Sequence, residues 1–367
     1  MTDDSAPIPT PESAPAAHRR RPRYAGKYPR RFEEKYKEHD PARYADTVQK
    51  VLASGKTPAG SHRPIMLAEV LEIVAPRAGE IGVDCTLGYG GHAQELLARV
   101  QPGGRLLGLD ADPIELPKTE ARLRLLGFGP DTFTAHRTNF AGLPQVLAAA
   151  ELSGVDFIVA DLGVSSMQLD DPARGFSWKR DAPLDLRMNP ERGQPAAKIL
   201  ERMKRKEIEN LLRRYGDEPE AAGIAAALHE TNEARRSENS IHLLRTSDVA
   251  AAVESAYEGR TSRDASEAKK SSLQRTFQAI RILVNDELTA LEAFLRDLPA
   301  CLAPGGRAAI LTFHSGEDRL VKKAFAAGHA DGTYAEVSRK VVRASSEERR
   351  ANPRSQPAKL RRAVRAG

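Results

Sequence analysis

The sequence predicts an α/β fold, a doubly wound and mostly parallel sheet interrupted by an inserted helical domain. Short apolar strands alternate with amphipathic helices roughly every 20 to 30 residues over the first part of the chain. A glycine-rich turn follows the first strand, and the alternation stops after residue 169 and resumes near residue 271. The predicted domains are an extension at 1–60, a discontinuous sheet domain at 61–169 and 271–367, and a helical insertion at 170–270.

The predicted strands and helices follow one another in a regular order. IMLAEVLEIV predicts a helix, EIGVD the first strand, and GHAQELLARV the helix after the glycine turn. GGRLLGLD predicts a second strand that ends at Asp110, DTFTAHRTNF a third, and VDFIVAD a fourth that ends at Asp161. After the insertion, RTFQAIRILVNDELTALEAFLRDLPACL predicts a long helix or a helix pair, AAILTFHS a strand, and EDRLVKKAFAAG a helix.

The positive charge of the chain is confined to its two ends. The 367 residues include 56 Lys and Arg and 50 Asp and Glu, so the formal net charge is +6. Residues 1–60 contribute +4 and residues 339–367 contribute +8, which leaves −6 on the residues between them. Residues 1–60 are rich in proline and lack apolar periodicity, which predicts disorder. Such a charge distribution favours a polyanionic partner.

Several classes of protein are excluded by composition. The two cysteines, Cys85 and Cys301, cannot build a disulfide framework and fit no metal-binding spacing. No apolar run approaches the roughly 18 residues of a membrane span, and no apolar leader segment follows the first residues. We therefore expect a cytoplasmic protein without a metal site and without a membrane partner.

The glycine-rich turn predicts a cofactor site. Asp84 ends the first strand, and Gly88, Gly90 and Gly91 follow before the helix, so a ligand can approach the backbone and the helix N-terminus closely. A dinucleotide fingerprint would need a third glycine at the position of Ala93. An acidic residue before this turn favours S-adenosylmethionine (AdoMet), which carries a cation and no pyrophosphate. A nicotinamide cofactor is the alternative.

Two further acids end neighbouring strands. Asp110 closes the second strand, where a carboxylate can accept both hydroxyls of a ribose, or can merely cap the next helix. Asp161 closes the fourth strand at the carboxyl edge of the sheet, where open α/β sheets bind their ligands. We predict Asp161 as the catalytic residue. If the reaction is methyl transfer to an exocyclic amine, an acceptor at this position would bind the amine protons and help to orient the attacking nitrogen.

Six blocks of sequence together resemble the RsmH/MraW family. They are HRPIML, DCTLGYGGH, DLGVSSMQLDDPARGFSWKRDAPLDLRM, RTFQAIRILVNDEL, LAPGGR and FHSGEDRLVK, and the resemblance runs from about residue 61 to the C-terminus. It implies a Rossmann-like, class I AdoMet methyltransferase fold. It also implies an enzyme that methylates the 4-amino group of a cytidine in the decoding centre of 16S rRNA. The chain departs from the usual family pattern at Cys85 and at Gly316.

The resemblance also implies which residues contact the cofactor. Carried over by position, these are Gly90, Gly91, His92, Asp110, Phe140, Asp161 and Gln168. The glycine-turn motif itself adds Asp84 and Gly88 to the predicted cofactor contacts. Phe140 would form a wall against the adenine ring, and His92 would help to position the methionine carboxylate.

The early part of the insertion supplies most of the candidates for RNA binding. They are Arg174, Trp178, Lys179, Arg180, Arg187 and Arg192, together with His314 from the FHSGEDR block. The basic side chains would guide the target nucleotide, and Trp178 with Phe176 could stack a flipped base. The competing interpretation is that the charges form ion pairs within the domain and that Trp178 anchors its packing.

The predicted partner is 16S rRNA, with the assembled 30S subunit favoured over free rRNA. A non-catalytic, AdoMet-binding ribosome assembly factor and a nicotinamide-dependent oxidoreductase are the alternative functions. Both a monomer and a homodimer are compatible with the sequence. We further expect the basic run at 19–37 and the C-terminal residues Arg354, Lys359, Arg361 and Arg362 to bind rRNA phosphates outside the active site.

Overall fold

A computed structural model describes residues 64–237 and 244–367. The predicted extension at 1–60, with its basic run, lies outside the described residues. The described part contains a seven-stranded sheet in the order β3-β2-β1-β4-β5-β7-β6. Its strands are β1 (Ile81–Asp84), β2 (Arg105–Asp110), β3 (Phe133–Arg137), β4 (Val155–Asp161), β5 (Leu302–Thr312), β6 (Tyr334–Val337) and β7 (Lys359–Arg365). Strands β1 to β5 pair in parallel, as predicted, and β7 runs antiparallel to both of its neighbours.

The helices before and after the insertion cover both faces of the sheet. The helices of the described residues are α1 (Leu67–Val74), α2 (Gly91–Val100), α3 (Glu115–Leu125), α4 (Leu143–Ala149), α5 (Ser166–Asp170), α6 (Ala196–Arg202), α7 (Arg205–Gly216), α8 (Ala221–Ser237), α9 (Thr246–Ser255), α10 (Arg263–Asn285), α11 (Glu287–Cys301), α12 (Ser315–Ala330) and α13 (Ser346–Ala351). One apolar core joins the sheet to α4, α11 and α12, and a second core joins the other face to α1, α2 and α3. The doubly wound arrangement is therefore confirmed. No helix in this part of the chain has both the length and the apolar character that a bilayer crossing requires.

Burial explains the apolar character of the central strands. Val155, Phe157 and Ile158 of β4 are almost completely buried, because β4 lies between β1 and β5 and is covered on both faces. The register aligns Asp84 with Val159 and Asp161 with Leu311, so these strands end at one edge of the sheet. This edge carries the acids that the sequence analysis selected.

The insertion forms its own apolar core. Helices α6 to α10 pack around it, with Leu212, Ile224 and Val249 fully buried. The predicted boundary at residue 270 is wrong, because it falls inside α10. The apolar face of α10 continues through Phe277 and Ile280 into the same core, so the insertion extends to the end of that helix.

The basic C-terminal residues are part of the sheet and do not form a tail. Strand β7 inserts between β5 and β6, and Leu360 is fully buried. Arg361 is only 6% exposed, and its Nε lies 2.7 Å from Oδ1 of Asp318; Nζ of Lys359 lies 3.1 Å from Oδ2 of the same carboxylate. Arg362 is paired with Glu336. The expectation that Arg361 binds a phosphate is therefore wrong, because its guanidinium is buried against Asp318. Phosphate contact by Lys359 and Arg362 stays a prediction, since both are partly exposed despite their ion pairs.

Candidate active site

A cleft of about 1560 Å³ opens at the carboxyl edge of the sheet. The glycine turn, the ends of β2 and β4, the loop at 176–193 and one side of α10 line it. Pockets for single small ligands occupy roughly 300 to 1,000 Å³, so this cleft has room for a cofactor and part of a second molecule. Its position matches the place where open α/β sheets bind ligands.

The glycine turn is shaped by close backbone packing. Gly88 and Gly90 adopt φ angles of +50° and +75°, which favour glycine. A Cβ on Gly90 would lie 2.9 Å from Cγ2 of Thr119, and one on Gly91 would lie 2.6 Å from Cγ of Pro64. The hydroxyl of Thr119 also donates to the Gly88 carbonyl at 2.6 Å. The turn, which we call the cradle, therefore packs closely on α3 and on Pro64, and its glycines line the cleft.

Asp110 holds this cradle from the end of β2. Its Oδ2 accepts the Gly88 N–H at 2.7 Å, and its Oδ1 accepts the Asp112 N–H at 2.8 Å. Burial raises the pKa of Asp110 to about 6. The carboxylate lines the cleft, and each oxygen has a further lone pair that can accept a hydroxyl.

Asp84 lies beneath the turn and is not part of the cleft wall. It is only 2% exposed, and its Oδ1 accepts the Thr86 N–H at 3.1 Å. Burial raises the pKa of Asp84 to about 7, and the charge of nearby Asp110 contributes to the increase. The predicted cofactor contact of Asp84 does not fit this burial, and supporting the turn is the role that its geometry shows.

Asp161 extends into the cleft from the end of β4. Its N–H donates to Oγ1 of Thr86 at 2.6 Å, which fixes the strand end against the glycine turn. About a quarter of its side chain is exposed, at 26%, whereas Oδ1 is buried without a hydrogen-bond partner among the described residues. Burial raises the pKa of Asp161 to about 8, helped by the charges of Asp84 and Glu317. A buried acceptor without a partner is expected to bind a donor or a cation.

His92 faces Asp161 across the cradle. Its Nδ1 lies 3.9 Å from Oδ2 of Asp161, and its Nε2 lies 3.1 Å from the Ile65 carbonyl. Because a carbonyl can only accept, Nε2 carries the ring hydrogen, and Nδ1 is left as the acceptor. Burial lowers the pKa of His92 to about 4, so the ring is neutral at pH 7.

These residues fit AdoMet better than a nicotinamide dinucleotide. Asp84, Asp110 and Asp161 lie around the cradle, and burial together with the neighbouring carboxylates raises their pKa values, so a further negative charge is unfavourable there. A pyrophosphate would add negative charge, whereas the sulfonium and ammonium groups of AdoMet would relieve it. The free Oδ1 of Asp161 provides an acceptor for such a cation or for an N–H donor.

Phe140 and Gln168 both line the cleft. Phe140 begins a short 3₁₀ turn, and its ring packs edge to face on Phe294 at a centroid distance of 5.5 Å. Gln168 is buried, with its carbonyl accepting the Ser165 N–H at 2.9 Å and its Nε2 donating to Asp112 at 2.8 Å. Both residues line the cleft, as the resemblance implies, but Gln168 also stabilises the start of α5.

Arg174 does not lie at the surface. Its side chain is 7% exposed, and its Nη1 forms an ion pair with Oδ2 of Asp112 at 2.8 Å. Its Nη2 donates to the carbonyls of Arg187 and Met188 at 3.1 and 2.9 Å. The prediction that Arg174 guides RNA is therefore wrong, because this guanidinium is buried and holds the loop at 185–189 against the cofactor side of the cleft.

The other candidates from the insertion occupy different environments. Lys179 and Arg192 are exposed, line the cleft and have no carboxylate within 4 Å in the described ranges. Arg187 forms two bonds with Asp185, at 2.8 and 2.7 Å. Arg180 is exposed but does not line the cleft. Lys179 and Arg192 therefore remain the candidates for phosphate contact at the cleft.

Trp178 packs within the insertion and also lines the cleft. Its ring lies 5.6 Å from that of Phe277, centroid to centroid, and it packs against the core of the insertion. The same residue lines the cleft and is half-buried, so part of its surface faces the cleft. Phe176 also lines the cleft, but it is only 4% exposed.

His314 caps helix α12. Its Nδ1 accepts the Glu317 N–H at 3.3 Å, and its Nε2 lies 3.1 Å from Oε1 of the same residue. Glu317 in turn accepts the Phe313 N–H at 2.8 Å. His314 lines the cleft, yet its side chain is only 7% exposed. The observed role is to fix the helix start, and the helix forms despite Gly316 in its first turn.

Sequence reasoning missed a polar network at the junction of α10 and α11. Arg281 makes two bonds to Glu287, at 2.7 and 2.9 Å. Asn285 accepts the Met188 N–H and donates to the Leu186 carbonyl, each at 2.7 Å. These residues lie within the RTFQAIRILVNDEL block, so the resemblance marked them without assigning a role. The network holds the loop of the insertion against the sheet domain.

The site and the fold are those expected of an AdoMet-dependent methyltransferase, because a glycine-rich turn beside acidic residues lies at the carboxyl edge of a doubly wound sheet. A match to a known family establishes this class. Residues 59–366 of the chain match a family model that is described as "MraW methylase family".

Named relatives extend over nearly the whole chain. The ribosomal RNA small subunit methyltransferase H 1 of Lachnoclostridium phytofermentans is 47% identical over 355 residues, which cover 97% of this chain and 95% of the relative. The protein of the same name from Agathobacter rectalis is 46% identical over 349 residues, or 95% of this chain and 98% of the relative. The ribosomal RNA small subunit methyltransferase H of Anaeromyxobacter sp. strain K is 41% identical, covering 82% and 96%. The chain belongs to the MraW methylase family.

Proposed function

We propose that this protein methylates the 4-amino group of a cytidine in the decoding centre of 16S rRNA, and that it acts in the cytoplasm on the assembled small subunit. The observation that carries the proposal is Oδ1 of Asp161, which has no hydrogen-bond partner among the described residues and lies in a cleft that is larger than a cofactor needs. The names of the relatives, which are small-subunit rRNA methyltransferases, support rRNA as the substrate.

The cofactor end of the cleft would be formed by residues that the structure already brings together. The backbone of Gly88 to Gly91 would lie against the methionine part, the carboxylate of Asp110 would accept the ribose hydroxyls, and Phe140 would face the adenine. Bound AdoMet supplies a methyl group activated by its positive sulfur. A positive charge beside Asp161 would favour the ionised carboxylate over the neutral form.

Asp161 would orient the attacking nitrogen. The lone pair of a 4-amino group is delocalised into the cytosine ring, which makes the nitrogen a weak nucleophile. When Oδ1 of Asp161 accepts one N–H, the nitrogen is held in line with the methyl group, and its pyramidal form is favoured. Methyl transfer would form an N–C bond as the S–C bond of the cofactor breaks, and the extra proton on nitrogen would leave to water in the open cleft.

The remaining space would hold the target nucleotide after it leaves its stack. Extrusion of a base costs a few kcal/mol, which contacts in the cleft must offset. The exposed part of Trp178 offers a stacking surface, and Lys179 and Arg192 offer cations for the flanking phosphates. The polar network of Arg281 and Asn285 keeps the opposing walls in place.

Two experiments separate this function from its alternatives. In the first, the melting temperature is followed while AdoMet or NAD is added; a shift with AdoMet alone is expected, and a shift with NAD alone would restore the oxidoreductase. In the second, labelled AdoMet is supplied with either free 16S rRNA or small subunits that lack the modification. Label in the subunits is expected. AdoMet binding without label in either substrate would favour the non-catalytic assembly factor.

A further inference from the structure

The chain makes a basic excursion between β6 and β7. We call residues 338–358 the β6–β7 arm; it contains α13 and a 3₁₀ turn at Pro353–Ser355. Five basic side chains of the arm are exposed, and none has a carboxylate within 4 Å among the residues that the structure describes. They are Arg339, Lys340, Arg343, Arg349 and Arg350.

The arm is held firmly on the sheet domain. Val342 and Leu360 exchange two backbone hydrogen bonds, of 3.0 and 2.9 Å. Ala344 is buried in the core beneath the arm, and Glu348 accepts the Met66 N–H at 2.7 Å. Glu348 is one of only two acids in the arm, so this bond removes it as a partner for the basic side chains. The exposed basic side chains therefore lie on a segment that is fixed to the sheet domain.

The arm is continuous with the active-site cleft. Four residues near its end, Pro353, Arg354, Gln356 and Pro357, line the cleft. Arg354 bonds to Ser166 and lies 3.3 Å from Oδ1 of Asp170, which joins the arm to helix α5 beside the cofactor end. A polyanion bound along the arm would therefore lead directly to Asp161.

The insertion, in contrast, pairs several of its exposed basic side chains with carboxylates of its own. Five of its exposed basic side chains are each within 4 Å of a carboxylate of the insertion. They are Lys206, Arg213, Arg236, Arg260 and Arg263, paired with Glu209, Glu209, Glu233, Glu220 and Glu267. Unpaired charges attract a polyanion more strongly than paired ones, because a paired cation must first give up its carboxylate.

We propose that the β6–β7 arm is a phosphate-binding platform for the rRNA strand that enters the cleft. The proposal rests on the function proposed above, since it assigns a second contact to the same substrate. The five cations of the arm bind phosphates and fix the position of the RNA, and the cleft selects the base. An anionic membrane surface is the competing partner for such a patch, but the continuity of the arm with the cleft favours RNA.

A charge-matched pair of variants tests this platform. In the arm variant, Arg339, Lys340, Arg343, Arg349 and Arg350 are replaced by Gln. In the control variant, Lys206, Arg213, Arg236, Arg260 and Arg263 are replaced by Gln, which changes the net charge equally. The dissociation constant for small subunits that lack the modification is measured between 50 and 300 mM salt. Far-UV circular dichroism and AdoMet affinity verify that each variant is folded.

The arm variant should lose at least tenfold in subunit affinity at 0.1 M salt. Each phosphate contact contributes roughly 0.7 to 0.9 to the slope of log K against log salt, so loss of several contacts should flatten it by about 3. The control variant should keep a slope near that of the wild type, and the arm variant should keep its kcat at saturating subunits. Equal slopes in the wild type and the arm variant would overturn the proposal.

Two other outcomes would also overturn it. If both variants lose affinity equally, net charge is the cause and no platform exists. If the slope for subunits is unchanged while binding to phosphatidylglycerol vesicles is lost, the arm binds a membrane surface. A wild type that binds and methylates subunits, with an arm variant that behaves like it, refutes the platform alone. A wild type that does neither refutes the proposed function as well.

Discussion

Nη1 of Arg174 lies 2.8 Å from Oδ2 of Asp112, and both side chains are almost completely buried. Asp112 also accepts the Ile114 N–H at 2.9 Å and so stabilises the start of α3. Its backbone N–H donates to Asp110, the residue that holds the glycine turn. The pair therefore joins the cofactor side of the cleft to the loop of the insertion, across 62 residues of sequence.

Replacement of Arg174 by Gln should destabilise the protein by about 3 to 5 kcal/mol, because Asp112 would remain buried without its partner. Chemical denaturation measures this loss. Arg187→Gln is the control, since the Arg187 pair with Asp185 is partly exposed and should contribute only about 1 kcal/mol. The salt dependence of subunit binding should not change in the Arg174 variant. A stable variant with a flattened salt slope would instead show that Arg174 binds RNA.

The stability of the protein without its cofactor should fall as the pH rises. Asp161 has a pKa near 8 in the folded state and about 3.9 when unfolded. Its contribution to the free energy of unfolding is therefore fully present below about pH 4 and is lost progressively as the pH rises to about 8. Asp84 and Asp110 have raised pKa values, near 7 and 6, and add to the loss. AdoMet affinity should rise over the same range, because a cation favours the ionised carboxylates.

Asp161→Asn isolates the contribution of this residue. Urea unfolding from pH 5 to pH 8, without AdoMet, should show a slope that is shallower than in the wild type by up to about 1.4 kcal/mol per pH unit. The remaining slope belongs to Asp84 and Asp110. If the two proteins have identical slopes, Asp161 is ionised at neutral pH in the free enzyme, and our account of its environment is incorrect.

A methyl group on Gly90 should weaken cofactor binding. Its Cβ would meet Thr119 and Arg122 at 2.9 Å, at a φ of +75°, so the cradle must shift. We expect Gly90→Ala to weaken AdoMet binding at least tenfold in calorimetric titrations. Gly79→Ala is the control, because Gly79 has a φ of +85° and no atom of the described residues outside its chain neighbours lies within 4 Å of the added carbon. It should cost about 1 to 2 kcal/mol of stability and leave AdoMet affinity intact. Equal affinities in both variants would argue against the cradle.

Local periodicity was sufficient to predict the parallel part of the sheet. The apolar runs of β1, β2 and β4 and the acids that end β2 and β4 lie where the pattern placed them. This succeeds because a strand buried on both faces must be apolar along its length. The glycine turn could also be predicted from the sequence, since Gly88 and Gly90 have the positive φ angles that favour glycine.

Pairings between distant residues could not be predicted in this way. Arg174 looks like an exposed cation in sequence, and only the fold brings Asp112 to it. The prediction that Arg361 binds a phosphate failed for the same reason, since its partner Asp318 lies 43 residues earlier in the chain. Strand β7 shows little alternation, because the charges of Lys359 and Arg361 are neutralised inside the fold rather than by solvent. A count of charges therefore overstates how many remain available for RNA.

The central claim is that Asp161 orients a cytidine amine for methylation, and nucleoside analysis tests it most directly. Small subunits that lack the modification are incubated with AdoMet and either the wild type or Asp161→Ala, and their 16S rRNA is digested and analysed by mass spectrometry. We predict 4-methylcytidine with the wild type, and a loss of most turnover with the variant while subunit binding is retained. Absence of 4-methylcytidine with the wild type, or a near-normal rate with Asp161→Ala, would contradict the account.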